Sequence, residues 1–119
     1  MELMRHFWDA AVALDPGATE LDEGVRFPLC HPDSLLAQVA EAGFHNAEVT
    51  AIDVPKCFAG FQDYWEPFLG GQGPAPAYAM SLDREARERL RDRLRVQLPS
   101  ESDGSIPLVA RAWAVRAAV

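Results

Sequence analysis

The chain has 119 residues, which fits one domain large enough to bury a core. Its formal net charge is −7, from 18 acidic against 11 basic residues, which argues against a nucleic-acid-binding protein because such proteins carry a basic balance or stripe. No apolar run reaches the roughly 18 residues of a membrane span, and the N-terminus lacks the basic and apolar regions of a signal peptide, so the default expectation is a cytoplasmic protein.

The first 44 residues predict two helices. Apolar residues recur at helical spacing in LMRHFWDAAVALD (3–15), and Asp15-Pro16-Gly17 ends this first helix. A polar loop, GATELDEG (17–24), and a short extended piece, RFPLC (26–30), follow it. The second helix starts at Pro32, is capped by Gly43, and is predicted to bury Leu35, Leu36, Val39 and Ala40.

Two strands are predicted, with helices between them. The first runs from about Ala47 to Val54, and Pro55 ends it. Aromatic residues from 58 to 68 indicate a short helix, and SLDREARERLRDRLRVQL (81–98) indicates a long one. Ser81 is its predicted N-cap, its arginines lie on a solvated face, and its apolar stripe is Leu82, Ala86, Leu90 and Leu94.

The stretch YWEPFLGGQGPAPAY (64–78) stands out because it combines aromatics, a glycine cluster and two prolines. A phosphate-binding loop needs a preceding strand and a helix N-terminus directly after it. Here the glycines follow an aromatic helix, and Pro74 and Pro76 are predicted to keep a helix from starting there. We therefore interpret the stretch, called the lid stretch below, as a sharp turn off the aromatic helix with a stiff exit.

Four segments together resemble the C-terminal part of a class I S-adenosylmethionine-dependent methyltransferase of the bacterial ubiquinone/menaquinone-biosynthesis type. These are FWDAAVALDPGA (7–18), RFPLCHPDSLLAQVAEAGF (26–44), AEVTAIDVPKCFAGFQDYWEPFLGGQGPAP (47–76) and DGSIPLVARAWAVRA (103–117). The resemblance covers nearly the whole chain, and DYWEPFLGGQGPAP is its most specific block. It implies an α+β or partial α/β fold: the C-terminal portion of a Rossmann-like enzyme, with an antiparallel strand pair covered by about four helices.

The resemblance also implies what this chain lacks. In that family the cofactor binds in the first half of a doubly wound sheet, at a strand followed by a Gly-rich turn. No such motif occurs here, so we expect no cofactor-binding residues and no S-adenosylmethionine site in this chain alone. Met1 is expected to fall just after the fifth strand of a full enzyme, which leaves an internal start, a misassigned start and a truncation as alternatives.

The insertion between the two strands would, by the same resemblance, help to cover the methyl acceptor, a small molecule. The candidate substrate-binding residues are Trp8, Phe61, Tyr64, Trp65, Phe68 and Gln72. The alternative is that the aromatic residues pack the core. No catalytic constellation is visible; His6 is at most a candidate base, and methyl transfer needs mainly alignment of donor and acceptor.

Metal and disulfide chemistry are not expected. Two cysteines, Cys30 and Cys57, are too few for a disulfide framework. The adjacent pair Cys30-His31 does not have the ligand spacing of a zinc site.

By the same resemblance, the last strand, about Ile106 to Val115, is expected to pair with Ala47–Val54 and, without a fifth strand, to leave its other edge unpaired. Exposed strand edges recruit partners, so we expect a two-fold homodimer through that edge. Three functions stay open. The chain is a methyltransferase fragment that is inactive alone, a small dimerising or ligand-binding module derived from such an enzyme, or one half of a two-chain methyltransferase.

Overall fold

A computed structural model describes all residues from 1 to 119 and has an α+β architecture. The helices are α1 (Glu2–Leu14), α2 (Glu23–Arg26), α3 (Pro32–Glu41), α4 (Phe61–Trp65), α5 (Pro74–Ser81) and α6 (Arg84–Gln97), with 3-10 helices at Pro16–Leu21 and Glu66–Gly70. The strands are β1 (His45–Phe58) and β2 (Ile106–Ala118), which form one antiparallel sheet. The antiparallel pair is confirmed, and the number of helices is larger than the predicted four. None of these helices is long and apolar enough to cross a membrane.

The core lies where α1, α4, α5 and α6 meet the C-terminal end of β1 and the N-terminal end of β2. It is centred on aromatic rings, with Phe7 stacked on Phe68 at 4.6 Å between centroids and edge-on to Trp8 at 5.2 Å. Leu90 and Leu94 of α6 are fully buried against it, as the helical spacing predicts. Aromatic burial of this kind contributes most of the apolar area that stabilises so small a core.

The sheet is longer than predicted, because Pro55 does not end β1. Pro55 lies opposite Val109, whose N–H donates to the Glu2 carboxylate of α1 at 2.7 Å instead of to β1. Opposing residues in an antiparallel sheet alternate between hydrogen-bonded and non-hydrogen-bonded pairs, and Pro55–Val109 is a non-hydrogen-bonded pair. The missing N–H of Pro55 therefore costs no hydrogen bond within the sheet, and the strand continues to Phe58.

The two halves of the sheet are covered on different faces. Near the core, Phe58, Ile106 and Leu108 are buried on one face. Farther out, Val49 and Trp113 are half-buried on the opposite face, over which α3 packs. The outer half of the first face is thus left open to solvent.

The second helix matches its predicted bounds and its cap, since Gly43 has a φ of +92°. Its predicted buried face is wrong, however. Leu35, Leu36 and Val39 are only half-buried and Ala40 is exposed, because α3 has a thin two-stranded sheet on one side and solvent on the other.

The segment between α1 and α3 is more ordered than its polar composition predicts. The Asp15 side chain accepts from the N–H of Gly17, and the Asp22 side chain accepts from that of Gly24, so each aspartate starts a short helix. The piece predicted as extended, 26–30, is instead a turn in which the Cys30 N–H donates to the Phe27 carbonyl.

Two predictions around α5 are also wrong. Ser81 does not cap the long helix: it ends α5, and Asp83 caps α6 by accepting from the N–H of Ala86 at 2.8 Å. The glycine cluster does lead into a helix, since Pro74 is the first residue of α5. Proline suits that position because the first-turn N–H groups have no partner within a helix.

Candidate functional site

The predicted substrate-binding residues divide into a buried and an accessible group. Four of them lie in the core with at most 4% of their surface exposed: Trp8, Tyr64, Trp65 and Phe68. Phe61 is half-buried and Gln72 is exposed. Phe61 and Gln72 are accessible to a ligand, and Trp65 contributes to the wall of a surface concavity, whereas Trp8, Tyr64 and Phe68 line neither of the two concavities described below. The role of the set in substrate binding stays a prediction.

Tyr64 connects the insertion to the first helix. Its hydroxyl donates to the Leu3 carbonyl at 2.7 Å, and burial raises the pKa of Tyr64 far above its usual range. The hydroxyl is therefore a neutral, fixed donor and not an acid or base. Trp8 differs, because its Nε1 is buried and has no hydrogen-bond partner.

A concavity of about 250 Å³ opens between α1, α5 and α6. Its walls are mainly apolar and come from residues distant in the sequence: Ala11, Leu14, Asp15, Tyr78, Leu82, Ala86, Arg89 and Leu90. Apolar concavities with a few converging polar groups are the usual form of small-molecule sites. We therefore take this concavity, the α1–α5–α6 pocket, as the candidate functional site.

The polar groups of the α1–α5–α6 pocket are a hydroxyl, a carboxylate and a guanidinium. The Tyr78 hydroxyl donates to Asp15 Oδ2 at 3.1 Å, and burial, followed by this carboxylate, raises the pKa of Tyr78 to about 12. Arg89 lies in the wall and is 3.7 Å from the Glu85 carboxylate. At neutral pH the pocket thus offers an acceptor on Asp15, next to an un-ionised phenol and the Arg89–Glu85 ion pair.

This pocket is hard to predict from the sequence. The local pattern around Asp15 indicates only the end of a helix, and Tyr78 ends a stretch that is unusual mainly for its glycines and prolines. The two residues are 63 positions apart, so no motif spacing joins them. One usable signal is that α1 carries two apolar stripes, which is typical of a helix that is deeply buried or borders a pocket.

A second concavity, of about 290 Å³, is lined by Trp65, Leu69, Arg84, Arg87, Glu88 and Arg91. Its arginines already have partners. Arg87 donates to the carbonyls of Ala79 and Leu82 and so caps the end of α5, while Arg84 pairs with Glu88 and Arg91 with Asp92. The concavity offers no free cation for an anionic ligand, which agrees with a solvated, charge-balanced helix face.

The start of α5 is a poor phosphate site even though a helix follows the glycines. Phosphate binding at a helix N-terminus depends on free backbone N–H groups in the first turn. Pro74 and Pro76 have no N–H, and Ala75 between them is buried. The chain before the glycines is a 3-10 helix and not a strand. These residues do not fit the phosphate or dinucleotide cradle of a cofactor-binding fold.

The other candidate reactive groups do not converge. His6 Nδ1 lies 3.4 Å from the Gln97 amide, away from the α1–α5–α6 pocket residues. Cys30 and Cys57 are free and exposed. No group of three or more His, Cys, Asp or Glu side chains could hold a metal ion.

Comparison of the chain with protein-family models, with curated proteins and with solved structures found no match in any of the three.

Proposed function

We propose that this chain is the substrate-side and sheet-edge half of a class I S-adenosylmethionine-dependent methyltransferase and is not catalytic alone. The observation that carries the proposal is the sheet. Two long antiparallel strands lie side by side, and β2 has no partner on its outer edge. In the family that the sequence resembles, the last strand lies between the fifth and sixth strands, so this is the edge at which a fifth strand would pair.

The position of β1 supports the same assignment. As the sixth strand it would form the edge of the complete sheet, and Pro55 faces outward there without a donor. Proline on an outer edge is a common protection against further strand pairing. The insertion between the strands contains α4, α5 and α6, where a cap over the methyl acceptor is expected.

The α1–α5–α6 pocket would then be part of the acceptor site. Its apolar walls suit a ring or a short alkyl chain, and Asp15 could accept a hydrogen bond from an acceptor hydroxyl. Phe61, which lies under the Arg95 guanidinium, and Gln72 are not among the residues that line this pocket, so their part in substrate binding stays a prediction. Alignment is the main requirement of methyl transfer, so the absence of a base near the pocket is compatible with this function.

The residues do not fit S-adenosylmethionine itself. β1 is followed by Ala59, Gly60 and a five-residue helix, and not by a Gly-rich turn that opens into a long helix. We therefore assign no cofactor contact to this chain. A cytoplasmic location is part of the same proposal.

The DNA immediately upstream of Met1 tests the proposal. An in-frame segment that encodes a strand, a Gly-rich turn and a helix, in the same gene or in an adjoining one, is the expected finding. Calorimetric titration of the isolated chain with S-adenosylmethionine should show no binding. Micromolar binding by this chain alone, or the absence of any such segment, would overturn the proposal.

The alternative is a small ligand-binding or dimerising module, and one observation favours it. The α1–α5–α6 pocket is formed by one chain without help from other strands. If the module binds ligands by itself, a screen of small aromatic alcohols and acids by NMR should shift the resonances around Tyr78. A Tyr78→Phe variant would serve as the matched control. Shifts confined to the wild type, with no cofactor segment upstream of Met1, would favour this alternative.

A further inference from the structure

The outer edge of β2 is an unpaired row of backbone donors and acceptors. Val109 directs its backbone N–H away from β1 and toward Glu2. Because N–H direction alternates along an antiparallel strand, every second residue after Val109 also directs its backbone N–H toward the outer edge. These residues are Arg111, Trp113, Val115 and Ala117. None of their N–H groups is among the hydrogen bonds made outside the helices and strands.

The outer edge of β1 is less suited to pairing. Pro55 has no donor, and the register shifts between His45 and Glu48, where Asn46 has a φ of +53°. Prolines and bulges are the devices by which proteins protect sheet edges. In addition, α3 packs chiefly over β1. The two edges of one sheet therefore differ in their readiness to accept another strand.

We propose that the β2 edge binds the β2 edge of a second copy of this chain, antiparallel and centred on Trp113. In this register Arg111 lies opposite Val115 of the second copy, Ala112 opposite Ala114, and Trp113 opposite itself. Aromatic cross-strand pairs are favourable, and like charges directly opposite each other are avoided.

The charges near this edge favour self-pairing. Arg111 is neutralised within its own chain by Asp53, with Nε–Oδ1 at 2.6 Å, and Arg116 by Glu48 at 2.6 Å. The Glu2 carboxylate also lies at this edge, where it accepts from the Val109 N–H, four residues from the proposed centre. A two-fold axis through the edge also places the two Trp113 side chains between the two copies of α3, on the face that α3 already half covers.

The opposite face stays open in such a dimer. Ile52 and Val54 are 53% and 56% exposed there, beside Ala112 and Ala114. Under the proposed function, the helix layer of a complete enzyme would cover this face. The dimer occupies the edge at which a fifth strand would pair under that function, so it is inferred for this chain alone and does not require the function to be correct.

Sedimentation equilibrium at micromolar concentration tests the inference with a matched pair of variants. Val49 and Val115 lie directly opposite each other, and both direct their N–H groups outward, Val49 on the β1 edge and Val115 on the β2 edge. Val115→Pro removes a donor from the proposed interface, and Val49→Pro removes one from the other edge. Neither change removes a hydrogen bond between β1 and β2.

We expect the wild type and Val49→Pro to sediment at twice 13.1 kDa and Val115→Pro at 13.1 kDa, with the same far-ultraviolet circular dichroism for all three. A monomeric wild type, or dissociation of Val49→Pro in place of Val115→Pro, would overturn the inference. If Val115→Pro loses its native spectrum, Trp113→Lys replaces it, because two lysines opposite each other should also break the dimer. A dimeric Trp113→Lys would contradict the proposed register.

Discussion

The body of the molecule and the outer half of its sheet contrast sharply. In the body, α1, α4, α5 and α6 enclose an aromatic core with the near ends of both strands. In the outer half, not one residue from 23 to 57 or from 109 to 119 is buried. The radius of gyration is 17.0 Å, whereas about 13.5 Å is typical of a compact domain of this length. The outer half thus projects from the body.

The difference is in what covers the residues and not in their composition. The outer strands carry Val49, Ile52, Val54 and a run of alanines, which would suit the interior of a layered protein. Two strands have only one helix, α3, to cover them, and small sheets generally need a third strand or more packing for independent stability. The outer half therefore carries apolar residues typical of a core, but they are exposed to solvent. Both the proposed enzyme half and the proposed dimer start from this exposed part of the sheet.

The largest expected effect on stability comes from shortening one aliphatic side chain in each region by the same number of carbon atoms. Leu94→Ala in the body should lower the free energy of unfolding by about 2–5 kcal/mol, because Leu94 is fully buried and a cavity would remain. Ile52→Ala removes the same number of carbon atoms from the outer half and should cost less than about 1 kcal/mol. Urea unfolding measures both. Equal costs would mean that the open face of the sheet is covered in solution.

A smaller effect tests how firmly the lid stretch belongs to the body. Gly73 has φ +88° and ψ 170°, a conformation available almost only to glycine. Gly73→Ala should therefore cost about 1–3 kcal/mol. Gly70→Ala, three residues earlier, has no positive φ and meets no atom within 4 Å, so it should be nearly neutral. Similar losses of unfolding free energy for both variants would indicate that the chain at Gly73 does not keep this positive-φ conformation in solution.

The elements of the fold were predictable where the pattern is local. The stripe of α6 and the cap at Gly43 follow from residues three to four apart. The pairing of β1 with β2 is not local, and it was expected only from the resemblance to a known family. The errors depend on distant partners. Pro55 stays within β1 because Val109 bonds to Glu2, a contact between residues 107 positions apart that no window of sequence contains.

The candidate site was less predictable for the same reason. The sequence marks the aromatic residues as unusual, but it does not say which rings face inward. Tyr64 is fixed by the Leu3 carbonyl, and Phe68 by stacking on Phe7. The Tyr78–Asp15 contact likewise arises only when α5 packs beside α1.

The body and the outer half each contain one Arg–Asp ion pair, so the contribution of the same interaction to stability can be compared between the two regions. In the body, Arg5 binds Asp22, whose side chain is only 8% exposed. Burial opposes ionisation of Asp22, but the hydrogen bonds from Arg5 and the Gly24 N–H, with the Arg5 charge, outweigh it and lower the pKa of Asp22. Arg5→Gln should cost about 1–2 kcal/mol at neutral pH, allowing for the partial exposure of Arg5.

The lowered pKa of Asp22 determines how the stabilisation by the Arg5–Asp22 pair changes with pH. A lowered pKa means that the stabilisation is complete above the unfolded value of about 4 and is lost as the pH falls through the folded one. The difference between wild type and Arg5→Gln in urea unfolding should therefore shrink in acid. Arg84→Gln, which alters a surface pair with an arginine 90% exposed, should show neither the loss nor the pH dependence. A constant difference down to about pH 2 would exclude the Asp22 pair as its cause.

The smallest expected effect comes from the matching pair in the outer half. Arg111 binds Asp53 through two hydrogen bonds of 2.6 and 2.8 Å, and this hydrogen bonding, with the Arg111 charge, lowers the pKa of Asp53. Both side chains are solvent-exposed, so water and salt replace most of what the pair contributes. Asp53→Asn should leave the urea midpoint unchanged within error, although this pair is as well formed as the buried one. A loss equal to that of Arg5→Gln would show that the outer half is covered by a partner in solution, because only desolvation would make the exposed pair matter.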